Sequence, residues 1–277
     1  MRLRSRNLFI ILSLLFGFGS CNSIEPKPFK EDAQDMTIKP ITTNVKMVKI
    51  EGGKYQPFYG TNDSLIFVPS FMIDEHQVTN ADFLEFVKKN PQWRRSNVKA
   101  IYVDSSYLKN WVSDTILPKD AKLDAPVCNV SWFAAKAYAT AVNKRLPTLD
   151  EWEYLAMADE ETPNARSKKA YSNAIVDLYL VRDRQYNSVK QSPPNYWGVY
   201  NVFDLVWEWT EDFNSVLVTG DSRTGKFDDK NLVCAAGATN ATDVLNYAAF
   251  MRFGIRTSLK ANYTVANLGF RCAKDLE

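Results

Sequence analysis

Three helix-start signals crowd into residues 80–151, and after about residue 160 the 3.6-residue periodicity stops. Asn80 can cap ADFLEFVKKN, which puts Phe83, Phe86 and Val87 on one stripe, and Ser131 can cap WFAAKAYATAVN. Thr148 to Glu151 has the Thr-x-x-Glu form of a capping box ahead of WEYLAMA. Beyond these, Pro, Gly, Asn and aromatic residues alternate, and no run is long enough to predict a further helix. Upstream, VKMVKIEGGKYQPFYG predicts a hairpin about Gly52 and Gly53, and LIFVPSFMIDEHQVT a further extended stretch. A chain this poor in long elements must close its core with bulky rings on irregular backbone. Its 13% aromatic content supplies them, with Trp132, Trp152, Trp207 and Trp209 as the largest candidates. With no internal repeat and no second linker, residues 44–277 read as one α+β domain with two or three helices and short strands.

The first 20 residues are of another kind. Arg2, Arg4 and Arg6 precede the thirteen-residue apolar run LFIILSLLFGFGS, too short for a bilayer span of about 20 residues and ordered like a secretory signal peptide. FGSC resembles the bacterial lipobox, with Cys21 as the lipidated residue, although Phe18 stands where Leu is usual; ordinary cleavage nearby is the plainer alternative. Residues 21–43, polar and Pro-bearing, then read as a tether from a membrane anchor, and the expected location is the cell envelope. Without residues 1–20 the formal charge is −1, which gives no footing for nucleic acid. Cys128, Cys234 and Cys272 remain, an odd number that cannot all pair within the chain. Their separations do not make a zinc knuckle, and a single histidine, His76, excludes His-rich metal centres. Three buried thiols acting as small apolar side chains is the reading left.

Four islands, FMIDEHQVTNADFLEF, PVCNVSWFAAKAYATAVNKRLPTLDEWEYLAMA, PPNYWGVYNVFDLVWEWTED and NLGFRC, occur in that order and together resemble the sulfatase-modifying-factor family, which includes the formylglycine-generating enzyme. The resemblance covers residues 45–274 and implies an irregular, C-type-lectin-related fold. It also implies a reaction at two cysteines that bind copper(I) and engage a substrate cysteine before oxygen attacks. Copper(I) requires soft sulfur ligands. Counting back without gaps from NLGFRC places the two positions at Ala248 and Phe253, and residues 240–262 hold no cysteine at all. Copper is therefore not expected, and no catalytic residue is assigned. The family's RGGSW corresponds best to AAGAT at 235–239, so an Arg, a hydroxyl and a Trp are missing as well. Ala139 stands where many relatives carry a cysteine, so the family's bridge to Cys272 cannot form. Arg252 and Arg256 look like framework positions, and Arg145 is expected to pair inside the domain with Glu151 or Glu153.

The resemblance further implies calcium beside the WEW core, held through Asn201 and Glu208 side chains and the carbonyls of Asp204 and Val206. Hard oxygen donors suit calcium. Asp204 and Leu205 depart from the family's Gly and Asn there, and a metal-free hydrogen-bonded turn is the alternative. Tyr196, Trp197, Tyr247 and Phe250, with Arg252, form a candidate groove for a glycan or peptide. Three roles stay open: a non-catalytic envelope scaffold or accessory factor, a lectin-like ligand binder, and an enzyme of diverged chemistry. Similar members without the cysteines occur as lipoproteins of gliding-motility and type IX secretion machinery in Bacteroidetes, and others accompany copper nitrite reductases. Envelope proteins are the partners this implies. His76, in the motif DEHQVTN, is expected in a surface or capping role.

Overall fold

The computed structural model describes residues 37–58, 65–214 and 247–276. Three antiparallel strands form the largest sheet, in the order β1 (Met47–Ile50), β4 (Phe71–Asp74), β7 (Ala273–Asp275). A second pair joins β2 (Gly53–Tyr55) to β3 (Ile66–Val68), and two residues each of β5 (Trp207–Glu208) and β6 (Leu268–Gly269) run parallel. The expected hairpin about Gly52 and Gly53 is not formed. The strands on either side of the glycines pair elsewhere, β1 with β4 and β2 with β3. The glycines serve close approach instead: a Cβ on Gly52 would lie 2.5 Å from Ser70 N and Val68 O. The second predicted extended stretch is broken at Pro69–Ser70, so that β3 and β4 join different sheets.

Helices α1 (Asn80–Lys89), α2 (Trp132–Ala141) and α3 (Leu149–Leu155) lie where their start signals predict. Ser131 Oγ accepts from Ala134 N, and Thr148 with Glu151 makes the reciprocal capping box. The cap of α1 is Thr79, one residue earlier than expected. Thr79 is extended and exchanges bonds with Asp82, whereas Asn80 already sits in the first turn with its amide donating to Lys122 O.

Two helices carry no readable signal, α4 (Lys169–Leu180) and α5 (Tyr247–Ser258). No side chain caps α4, and only Ile175 on it is buried. The buried face of α5 is Ala248, Ala249, Arg252, Phe253 and Arg256, a regular helical stripe in which two of five positions are charged. An apolar count passes over such a stripe.

Aromatic rings close the main core, as the sequence requires. Phe83 packs on Phe86, Tyr138 and Phe270 at 5.2–6.3 Å between centroids. Trp209 and Trp152 are buried, while Trp132 and Trp207 are half-buried. Among the described residues no helix is long and apolar enough to cross a membrane.

Residues 37–43, expected in the tether, lie against the domain. Ile38 and Ile41 pack on the main core, and Ile41 N donates to Ala141 O. Asn90, fully buried, accepts from Lys39 N at 2.7 Å and donates to Lys39 O at 3.1 Å, as a neighbouring strand would. Asn90→Ala leaves these backbone groups without partners and should cost about 1–3 kcal/mol in urea unfolding. The same variant should expose residues 37–43 to protease, whereas the parent resists cleavage there.

Candidate functional site

The chemistry of the chain gathers around α3 and α5. Glu153 of α3 is buried and receives two arginines from successive turns of α5: Arg252 through Nε at 3.0 Å and Nη2 at 2.7 Å, and Arg256 through Nη1 at 2.5 Å. Burial alone would push the Glu153 carboxyl up, but the two guanidiniums outweigh it and hold the group at about 2. Arg256 also lies 4.6 Å over the Trp152 ring. The ion triad thus presses α5 onto α3. Its geometry fixes Ala248, fully buried, and Phe253, 4% exposed and stacked on Phe58 at 5.3 Å. Both residues, the positions that the ungapped count from NLGFRC gives, are packed apolar core.

A second buried ion pair meets Trp152 at its indole N–H. Arg271 grips Glu208 through Nε and Nη2, both at 2.8 Å, with both side chains fully buried. Trp152 Nε1 donates to Glu208 Oε2 and Gln77 Nε2 to Glu208 Oε1. Arg271 also reaches the carbonyls of Tyr200 and Asn201.

This arrangement bears on calcium. Asn201, Asp204, Val206 and Glu208 do lie in one loop, but both Glu208 oxygens are taken and its charge is matched by Arg271. Asn201 Oδ1 accepts from Lys190 N, and Asp204 Oδ2 accepts from Ser192 and Asn201. Asp204 Oδ1 and the Oε1 of Gln77, whose amide nitrogen bonds Asn201 O and Glu208, are buried without a partner. As arranged, Arg271, Gln77 and Trp152 engage the Glu208 carboxylate, and the loop closes with Asn201 in the left-handed region at φ 55°. Among the described residues no group of three or more His, Cys, Asp or Glu side chains is placed to hold a metal.

Two cysteines fall among the described residues. Cys128 and Cys272 are free, buried and in separate core clusters. Burial raises both thiols, Cys128 to about 12, and Asp74 beside Cys272 raises that one further, which disfavours the thiolate a metal needs. Cys21, Cys234 and residues 235–239 lie outside the described residues.

The groove residues fall into two pairs. Tyr196 is exposed and meets Trp197 edge-on at 5.1 Å, and Trp197 in turn packs on Tyr154. Tyr247 and Phe250 stack on the outer face of α5 at 6.1 Å. Among the described residues no ring contact joins one pair to the other. Arg252 is buried in the triad. Arg145 pairs with Glu151 at 2.7 Å through two nitrogens and with Asp275, so of the two partners expected it takes Glu151. His76 is half-buried with Nδ1 2.8 Å from Gln77 O.

Short strands, capped helices, an aromatic core and two buried arginine–carboxylate centres define an irregular α+β domain of the formylglycine-generating-enzyme type. Residues 32–276 match the profile of the sulfatase-modifying factor enzyme 1-like domain, and the chain belongs to that family. The formylglycine-generating enzyme of Streptomyces coelicolor is 30% identical over 249 residues, covering 75% of this chain and 79% of that protein. The inactive C-alpha-formylglycine-generating enzyme 2 of Bos taurus is 27% identical over 274 residues, covering 83% and 88%. The crystal structure of CarF aligns with 84% of this chain and 99% of its own at 17% identity and a TM-score of 0.46.

Glu153→Gln leaves two arginines buried against a neutral amide and should cost about 3–5 kcal/mol at pH 7. Because the folded carboxyl sits near 2, below its ordinary 4.5, its stabilisation is complete above 4.5 and is lost as pH falls from 4.5 toward 2. Urea unfolding at pH 7 and pH 3 should therefore show a smaller acid loss in the variant than in the parent. For the Asn201–Glu208 loop, the melting temperature should be the same in chelator and in added calcium; a rise with calcium would show a bound ion.

Proposed function

We propose that this chain is a non-catalytic member of its family: a cell-envelope lipoprotein, anchored through Cys21, that uses the domain as a scaffold or accessory factor for other envelope proteins. The observation that carries the reading is the packing of Ala248 and Phe253 inside the core face of α5, where the family reaction needs paired sulfur. A relative named as an inactive enzyme, matched over most of both chains, gives the reading a parallel. The lipobox-like FGSC and the polar segment after it support attachment to a membrane, in the manner of gliding and type IX secretion lipoproteins or of nitrite-reductase-associated members. Nucleic acid, copper and calcium have no part in the proposal.

The test has two arms. Incubated with a cysteine-bearing sulfatase peptide, copper and oxygen, the purified domain should leave the thiol unchanged by mass spectrometry; formylglycine in the product would end the non-catalytic reading. In cells fed an alkyne fatty acid, the full chain should take up label and Cys21→Ser should not. Equal labelling of both would remove the anchor.

A further inference from the structure

Ala174, Ile175 and Leu178 of α4 form one wall of a cavity of about 320 Å³, and the chain just after α3 with residues 192–204 forms the rest. That volume is at the lower end of small-molecule sites, about 300–1,000 Å³. Ala158, Ile175, Val199, Val202 and Phe203 line it and are all buried, so the inner wall is apolar.

The polar groups of the lining differ in what they still offer. Each side-chain donor already has an acceptor. Tyr171 Oη donates to the carbonyls of Ala156 and Ala158, Ser192 Oγ and Asn201 Nδ2 donate to Asp204 Oδ2, and Asn195 Nδ2 donates to Leu155 O. The acceptors are not all used. Asp204 Oδ1 is buried with no partner, a state that costs free energy until a donor reaches it.

Charge selects the same kind of ligand. Asp159, Glu160 and Asp204 line the cavity, and no Lys, Arg or His does. The cations nearby are engaged elsewhere: Lys168 with Asp159, Lys190 with Glu75 and Arg252 with Glu153. Arg184 feels the Asp204 charge, but its Nη1 donates to the carbonyls of Leu178 and Phe203 and its guanidinium lies over Tyr179 and Trp207. Asp159 is matched by Lys168, and Glu160 is exposed, where water screens it. Asp204 is thus the half-buried carboxylate of the lining that makes no ion pair among the described residues. An ammonium brings three N–H donors and no acceptor, and an alkyl chain behind it covers apolar wall.

We propose that this cavity binds an aliphatic primary ammonium, its head donating to Asp204 and its alkyl body lying on Ile175, Val202 and Phe203. The inference goes beyond the scaffold reading and does not depend on it, since neither Ala248 nor Phe253 lines the cavity. A free alkylamine and the lysine side chain of a protein share this chemistry.

Calorimetric titration of the purified domain with hexylamine and with hexanol, at about pH 7 where the amine is charged, tests the head. Saturable binding of hexylamine, at least about tenfold weaker for the alcohol, is the expected result. Asp204→Asn keeps an acceptor for Ser192 and Asn201 but sets an N–H donor where Oδ1 stands, and should weaken hexylamine by a similar factor. Ala174→Phe, at an exposed position of α4, places a ring in the cavity and should abolish binding of both compounds, while thermal unfolding confirms that each variant is folded. Acetyl-lysine methylamide with a free side-chain amine separates the sources: tighter binding than hexylamine assigns a lysine side chain, weaker binding a free amine, and either supports the site. Equal affinity for hexylamine and hexanol, unchanged hexylamine affinity in both variants, or no heat from either compound at millimolar concentration would overturn it.

Discussion

One carboxylate, Glu153, holds the arrangement of α5. It is buried, and it takes Arg252 and Arg256 from two turns of the same helix. A buried ion pair of this sort is not a cheap source of stability, because desolvation offsets much of the attraction. What it supplies is position. Two guanidiniums on one carboxylate set the rotation of α5 about its own axis, and with it the inward direction of Ala248 and Phe253.

Trp152 carries that constraint into the rest of the domain. One face of its ring lies under Arg256, and its indole N–H reaches Glu208, which Arg271 grips from the chain leading into β7. Since β7 pairs with β4 and β4 with β1, the ion centres and the largest sheet are linked through a few side chains. The loop at Asn201–Glu208 is drawn into the same set of bonds. Where the family resemblance implies a cation, this chain offers Arg271 and Gln77 to the Glu208 oxygens.

Much of the fold could be read from residue order, and the reasons for the exceptions are physical. Ser131 and Thr148 announce α2 and α3 because caps act locally. The glycine pair was legible as special but not as to purpose: a turn and a close approach both call for glycine, and only the tertiary partner, Ser70, decides between them. Helix α5 has no apolar signature because arginines occupy its buried face, and a charge that will be buried looks in sequence like one that will face water. The absence of cysteine over residues 240–262, by contrast, is read directly from residue order. The aromatic groove was legible as composition alone; its two ring pairs prove to have different neighbours.

The central claim is that α5 is a fixed part of the core, with its cysteine-free inner face sealed against α3. Amide hydrogen exchange across residues 247–258, followed by mass spectrometry, tests it most directly. Exchange as slow as that of α2 in the native chain is the predicted result. Exchange at loop rates under native conditions would contradict it, since a helix that opens freely seals nothing.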